Sequence, residues 1–106
     1  MKHFIVIINY TASSEIIDRT RPAHRAYLQT GLNSGLLLMS GPRNPVTGGM
    51  AVARAESMDD LISFFKGDPY QINNLATYEF IEFDPVFYQS AIKQWVSPKE
   101  SIRTIE

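Results

Sequence analysis

The chain has no cysteine, which excludes a disulfide, a thiolate metal site and a cysteine nucleophile. It has only two histidines, His3 and His24, so a zinc site would need carboxylates to complete it, and neither a metal nor a cofactor is expected. No stretch approaches the ~20 consecutive apolar residues that span a bilayer. The start, Met1-Lys2-His3-Phe4-Ile5-Val6, runs straight into a strand pattern without a small-residue cleavage site, so a cytoplasmic protein with no membrane partner is expected. No Gly-rich phosphate loop precedes a helix and no nucleophile sits in a recognisable elbow, which disfavours phosphoryl transfer and covalent catalysis. Internal repeats and low-complexity segments are also lacking.

What is present suits one compact core. A chain of 106 residues, 44% hydrophobic, is long enough for one core and too short for two, giving an expected domain over residues 1–96 and a polar tail over 97–106. The net charge of −1 hides an asymmetry: residues 1–54 hold six bases against two acids, net +4, and residues 55–106 hold four bases against nine acids, net −5. No basic run is interleaved with aromatics, so nucleic acid is not an expected partner. Arg19, Arg21 and Arg25 nevertheless flank His24 and could draw an anionic ligand, although a solvated helix face explains any one of them equally simply.

The run Phe4-Ile5-Val6-Ile7-Ile8 within 2–9 is too short for a core helix and apolar at both alternating sets of positions, so it reads as a central strand covered on each side. His3, at its start, is expected in solvent. Residues 14–33 follow helical spacing through Ile17, His24, Leu28, Gly31 and Leu32, with Ser13 or Ser14 as N-cap. Pro22 interrupts this pattern: either the helix kinks, or the main helix begins at Pro22 and places His24 in its first turn, where the dipole favours a neutral imidazole. Asn33-Ser34-Gly35 closes the helix, 36–40 reads as a strand, 41–48 as a loop, and 49–55 as a strand with one small-residue face. Ser57 caps a second helix through Phe65, Gly67 ends it, 71–75 could add a turn, and 77–87 supplies a fourth strand.

This β-α-β-β-α-β order is the ferredoxin-like unit of the α+β class, with both helices on one face of a four-stranded antiparallel sheet. Its open face would expose a large apolar patch, and such patches usually mark interfaces, so a sheet-on-sheet homodimer is expected. The segment 88–96, with Ile92, Trp95 and Val96, could wrap that dimer before Pro98 and a loose end.

Chemistry concentrates at Arg21-Pro22-Ala23-His24. A helix turns about 100° per residue, which puts His24 on the stripe of Ile17 and Arg21 on its margin. Gly67-Asp68-Pro69-Tyr70 could supply a carboxylate to His24, and a buried imidazole held by a carboxylate suits proton transfer near neutral pH. The same pair could equally be scaffolding, and Asp before Pro often binds its own backbone to start a turn. Ser40 and Gly41 could offer a hydroxyl and a backbone N–H to an oxyanion, against plain turn chemistry. Tyr10, Tyr27 and Tyr70 could line an aromatic-friendly pocket, against ordinary core positions.

Arg21-Pro22-Ala23-His24, Ser40-Gly41-Pro42, the Ser57 helix start and Asp68-Pro69-Tyr70, in this order on a βαββαβ pattern, make residues 2–87 resemble the YCII-related family of small dimeric α+β barrel proteins. The resemblance implies a ferredoxin-like fold dimerised into a barrel, with His24 and Asp68 as a catalytic dyad in a pocket. Most members lack an assigned reaction, and one branch is similar to enzymes that dechlorinate hydroxylated aromatics. Two readings follow. One is a cofactor-independent enzyme for a small, anionic or aromatic substrate, in which His24 moves a proton, Asp68 orients it, and Arg21, Ser40, Gly41 and Tyr70 bind substrate. The other is a non-catalytic ligand-binding or oligomerisation module of the same fold. A haem- or oxygen-using relative on a similar barrel is a third, weaker reading.

Overall fold

The computed structural model describes residues 1–98, and the last part of the polar tail, residues 99–106, lies outside them. Strands β1 (Lys2–Tyr10), β2 (Leu37–Pro42), β3 (Gly48–Ala55) and β4 (Ala76–Phe83) form one antiparallel sheet in the order β2-β3-β1-β4. Helices α1 (Ser14–Ser34) and α2 (Met58–Phe65) and the helical turn α3 (Pro69–Ile72) connect them. This is the ferredoxin-like α+β arrangement, the monomer fold of the dimeric α+β barrel class. No described helix is long and apolar enough to cross a membrane.

The side-chain alternation of β1 builds two different surfaces. Phe4, Val6 and Ile8 are buried beside Ala51, Ala53 and Ala55 of β3, on the face under the helices. The alanines let the helices approach closely, and α1 and α2 meet where Gly31 would, with a Cβ, come within 2.8 Å of Phe64. On the opposite face Ile5 and Ile7 are half-buried, while Met39, Met50, Ile81 and Phe83 are exposed.

Helix α1 does not begin at Pro22. It is one continuous helix capped by Ser13, whose hydroxyl accepts from the Ile16 N–H, and closed by Gly35 at φ 82°. Pro22 lies inside it and only removes the N–H that would reach the Asp18 carbonyl, while Ile17, His24, Leu28 and Gly31 anchor the buried stripe on either side. Packing therefore carries the helix through the proline. His24 sits in the helix interior, so the first-turn dipole effect on its imidazole does not apply.

Several boundaries also move. Strand β2 begins at Leu37 and takes in Gly41 and Pro42, which pair with Met50 and Gly49, leaving a shorter loop at 43–47. An edge strand can hold Pro42, since its missing N–H need not reach a neighbour. Strand β4 ends at Phe83, opposite His3; the expected extension to Phe87 fails there, where Pro85 has no N–H to offer the ladder, and Phe87 is 96% exposed. The turn expected at 71–75 forms at Pro69–Ile72, capped by Asp68.

The segment after β4 folds back as a 3₁₀ turn (Ser90–Ile92) and helix α4 (Lys93–Val96). Trp95 Nε1 donates to the Gly35 carbonyl (2.8 Å), Arg54 Nη1 donates to the Trp95 carbonyl (2.7 Å), and the Arg54 guanidinium lies 5.3 Å from the indole ring. Trp95 thus docks on its own chain. His3 packs edge-on against it, buried rather than solvated as expected, and burial pushes its pKa down.

Two glycines give a direct packing test. A Cβ on Gly48 would overlap the Ile8 carbonyl oxygen, whereas one on Gly41 would meet nothing within 4 Å. Gly48→Ala is expected to lower the melting temperature by more than about 5 °C, the shift roughly 1 kcal/mol produces in a domain of this size. Gly41→Ala is expected to stay within about 2 °C of the parent by thermal scanning.

Candidate active site

The second half of α1 and the turn after α2 meet over the sheet and bring His24 and Asp68 together, 44 residues apart in sequence. His24 Nδ1 and Asp68 Oδ1 are 2.7 Å apart. Asp68 is fully buried and takes two further donors: the Tyr70 backbone N–H on Oδ1 (3.1 Å) and the Tyr78 hydroxyl on Oδ2 (2.7 Å). A carboxylate only accepts, so in this arrangement Nδ1 carries the hydrogen, and a neutral ring leaves its lone pair on Nε2. The same oxygen that meets His24 also caps the local turn. The imidazole stacks on the Tyr70 ring at 3.9 Å and 12°.

His24 lines a cleft of about 350 Å³ between α1, the β2–β3 edge and α3, whereas Asp68 stands behind it and does not reach the cleft. Leu28, Leu32 and Ile8 give the cleft apolar walls, and Arg21, Arg25 and Ser40 give it polar ones. Of the expected site residues, the structure therefore brings Arg21, Ser40, Gly41 and Tyr70 to the same cleft as His24. Tyr10 joins them. Tyr27 does not: its hydroxyl donates to the Phe64 carbonyl (2.5 Å) and its ring stacks on Phe64, which makes it part of the α1–α2 contact. Arg19 also stays away from the cleft.

Charge in the cleft is of one sign. Arg21 and Arg25 line it, and no acidic side chain among the described residues does. One arm of Arg21 is held by Asp18 at 2.6 Å, and this bond raises its pKa further. The Tyr70 hydroxyl is buried without a hydrogen-bond partner among the described residues, and burial, then the neighbouring Tyr10, pushes its pKa up to about 12. Burial, reinforced by the bond to Asp68, pushes Tyr78 well above the ordinary tyrosine range, so both phenols remain protonated donors near neutral pH. No group of three or more His, Asp or Glu that could hold a metal ion occurs among the described residues.

Tyr78, Leu28 and Leu32 carry no site role in the sequence, where they read only as strand and helix-stripe positions. The alternation of β4 does place Tyr78 on the same face as Ala76 and Phe80, but no spacing rule links that strand position to a loop aspartate ten residues earlier.

Comparison with known proteins follows from this geometry. The family model of the YCII-related domain matches residues 1–84. No curated protein matches the chain. Among solved structures, the 5-chloro-2-hydroxyhydroquinone dehydrochlorinase of Burkholderia phenoliruptrix, in complex with 2,5-dihydroxybenzoquinone, superimposes with a TM-score of 0.63 at 22% identity. The match covers 82% of this chain and 93% of that one, and shows a shared fold.

The donor count around Asp68 sets its stability effect. Asp68→Ala leaves the Tyr70 N–H, the Tyr78 hydroxyl and the imidazole N–H without their acceptor, and is expected to cost about 2–4 kcal/mol in urea unfolding. Arg21→Ala breaks a pair whose aspartate is exposed and is expected to cost less than about 1 kcal/mol in the same measurement.

Proposed function

Because the chain belongs to the YCII-related domain family, we propose that it is a cofactor-independent enzyme that moves a proton on a small, anionic or aromatic substrate with a His24–Asp68 dyad. The observation that carries this reading is the polarity of the pair: Asp68 is sealed behind His24, while the imidazole edge faces a cleft. Held through Nδ1, the imidazole presents Nε2 as base in one direction and, once protonated, as acid in the other. Asp68 keeps the tautomer and favours the imidazolium as it forms. Arg21 steadies a substrate anion, the Ser40 hydroxyl receives a developing oxyanion beside Gly41, whose N–H faces Met50 in the β2–β3 ladder, and Tyr70 backs the imidazole and borders the bound ring.

Elimination, isomerisation and hydrolysis all fit this apparatus. Elimination is the form the structural neighbour's dehydrochlorinase activity supports. In it, Nε2 takes a proton from carbon, the C–H electrons form the new double bond, and the leaving group departs with its bonding pair. A competing reading as a non-catalytic ligand-binding or oligomerisation module draws on one observation: Asp68 also caps α3 and takes the Tyr78 hydroxyl, so the pair ties α1, α3 and β4 together.

We further propose that the chain works as a homodimer through the open sheet face. Ile5, Ile7, Met50, Val52, Ile81 and Phe83 occupy that face by strand alternation, and several are exposed in the single chain. Light scattering at micromolar concentration is expected to give a dimer mass, reduced to the monomer by Ile81→Asp; a monodisperse parent monomer refutes the dimer.

A thermal-shift screen of small hydroxyaromatics and carboxylates provides the ligand for the catalytic test. His24→Gln keeps a hydrogen bond to Asp68 but cannot carry the proton, and is expected to lower turnover by about 10²–10⁴-fold while remaining folded. Arg21→Ala is expected to weaken an anionic ligand and spare a neutral one of the same shape. A His24→Gln protein that processes the ligand like the parent and loses only stability defeats the enzyme reading.

A further inference from the structure

The Asp68 carboxylate has two oxygens with different duties. Oδ1 is shared by the imidazole and by the Tyr70 backbone N–H, and this second donor belongs to the turn that Asp68 itself caps. A local cap of this kind fixes one oxygen and leaves the carboxylate free to swing about it. Oδ2 meets one donor among the described residues, the Tyr78 hydroxyl at 2.7 Å, and that donor comes from β4 in the sheet. The tyrosine ring is itself held by aromatic contacts with Phe65 (5.5 Å) and Phe80 (6.3 Å). The second oxygen is therefore tied to the rigid layer of the fold, and the plane of the carboxylate with it.

We propose that Tyr78 is a positioning residue for the dyad, acting through Asp68 to hold the carboxylate plane that orients the His24 imidazole. The inference rests on the enzyme reading for its consequence in catalysis, but its geometry stands apart from any substrate. Tyr78 does not line the cleft, so it touches neither a ligand nor reacting atoms. Its raised pKa keeps it a donor throughout the neutral range, so it exchanges no proton with the carboxylate. By drawing charge toward Oδ2 it also moderates the pull of Oδ1 on the Nδ1 hydrogen. Removing the hydroxyl frees the carboxylate to rotate and leaves its second oxygen buried without a donor. The Tyr78→Phe protein is therefore expected to hold the imidazole less well, a loss that would appear in the rate of the proton step and not in the affinity for a ligand bound elsewhere in the cleft.

The test needs no substrate. Proton and ¹⁵N NMR of histidine-labelled protein should show a low-field Nδ1–H resonance for His24, identified by its disappearance in His24→Gln. In Tyr78→Phe that resonance is expected to change its position or be lost to solvent exchange. An Nδ1–H signal that keeps both its position and its slow exchange in Tyr78→Phe overturns the proposal. Should Tyr78→Phe fail to fold, site-specific 3-fluorotyrosine at position 78 retains the ring and hydroxyl but donates more strongly. An upfield shift of the His24 Nδ1–H is then expected, and an unmoved signal refutes the role. This readout separates the two claims: a His24→Gln protein that still turns over a ligand ends the enzyme reading, and the NMR result on Tyr78 stands or falls independently.

Discussion

A carboxylate removed wholly from water must be saturated with donors, and Asp68 meets that demand from three directions. Its own turn supplies the Tyr70 N–H, α1 supplies the His24 imidazole, and β4 supplies the Tyr78 hydroxyl. Desolvating an unpaired ionised carboxylate would cost far more than one ordinary hydrogen bond contributes, so these three contacts constrain where the elements can sit. The turn must fall over the sheet, α1 must present position 24 inward, and β4 must place position 78 on the helix side. The cleft in front of His24 is the space left when all three conditions hold.

The same economy explains why structural and chemical roles are hard to separate here. Asp68 starts one turn, joins two layers and holds an imidazole with a single side chain. Its loss is therefore felt in folding whatever the protein does. His24 is different, because one ring nitrogen is committed to the interior and the other edge meets the cleft. Two arginines and no acidic side chain among the described residues line the same cleft, a charge that favours an anion there.

The two surfaces of the sheet divide the work. One carries alanines beneath the helices and permits their close approach; the other keeps isoleucine, methionine and phenylalanine side chains without a covering layer from the described helices α1 and α2. Trp95 closes only the end beside His3 and Arg54, where it bonds to Gly35 and accepts from Arg54. At Trp95 this segment makes its contact within the chain. The indole N–H shares the Gly35 carbonyl at the C-terminus of α1 with Arg54 Nε.

From the sequence alone came the α+β class, the order of the elements and the pairing of His24 with Asp68, because each rests on local periodicity, on caps and breakers, or on motifs read in order along the chain. Strand ends are less legible: apolar residues continue through Val86 and Phe87, yet β4 stops at Phe83, just before Asp84-Pro85, where the ladder loses a donor. At Pro22 the sequence leaves a helix start and a continuous helix both open, and the buried stripe of Ile17, His24 and Leu28 on either side accompanies the continuous one. Only the tertiary structure decided that Tyr27 belongs to the helix–helix contact, that His3 lies beneath Trp95, and that Tyr78 completes the Asp68 site. Those outcomes depend on distances between side chains far apart in the chain, and no periodicity within a single element carries that information.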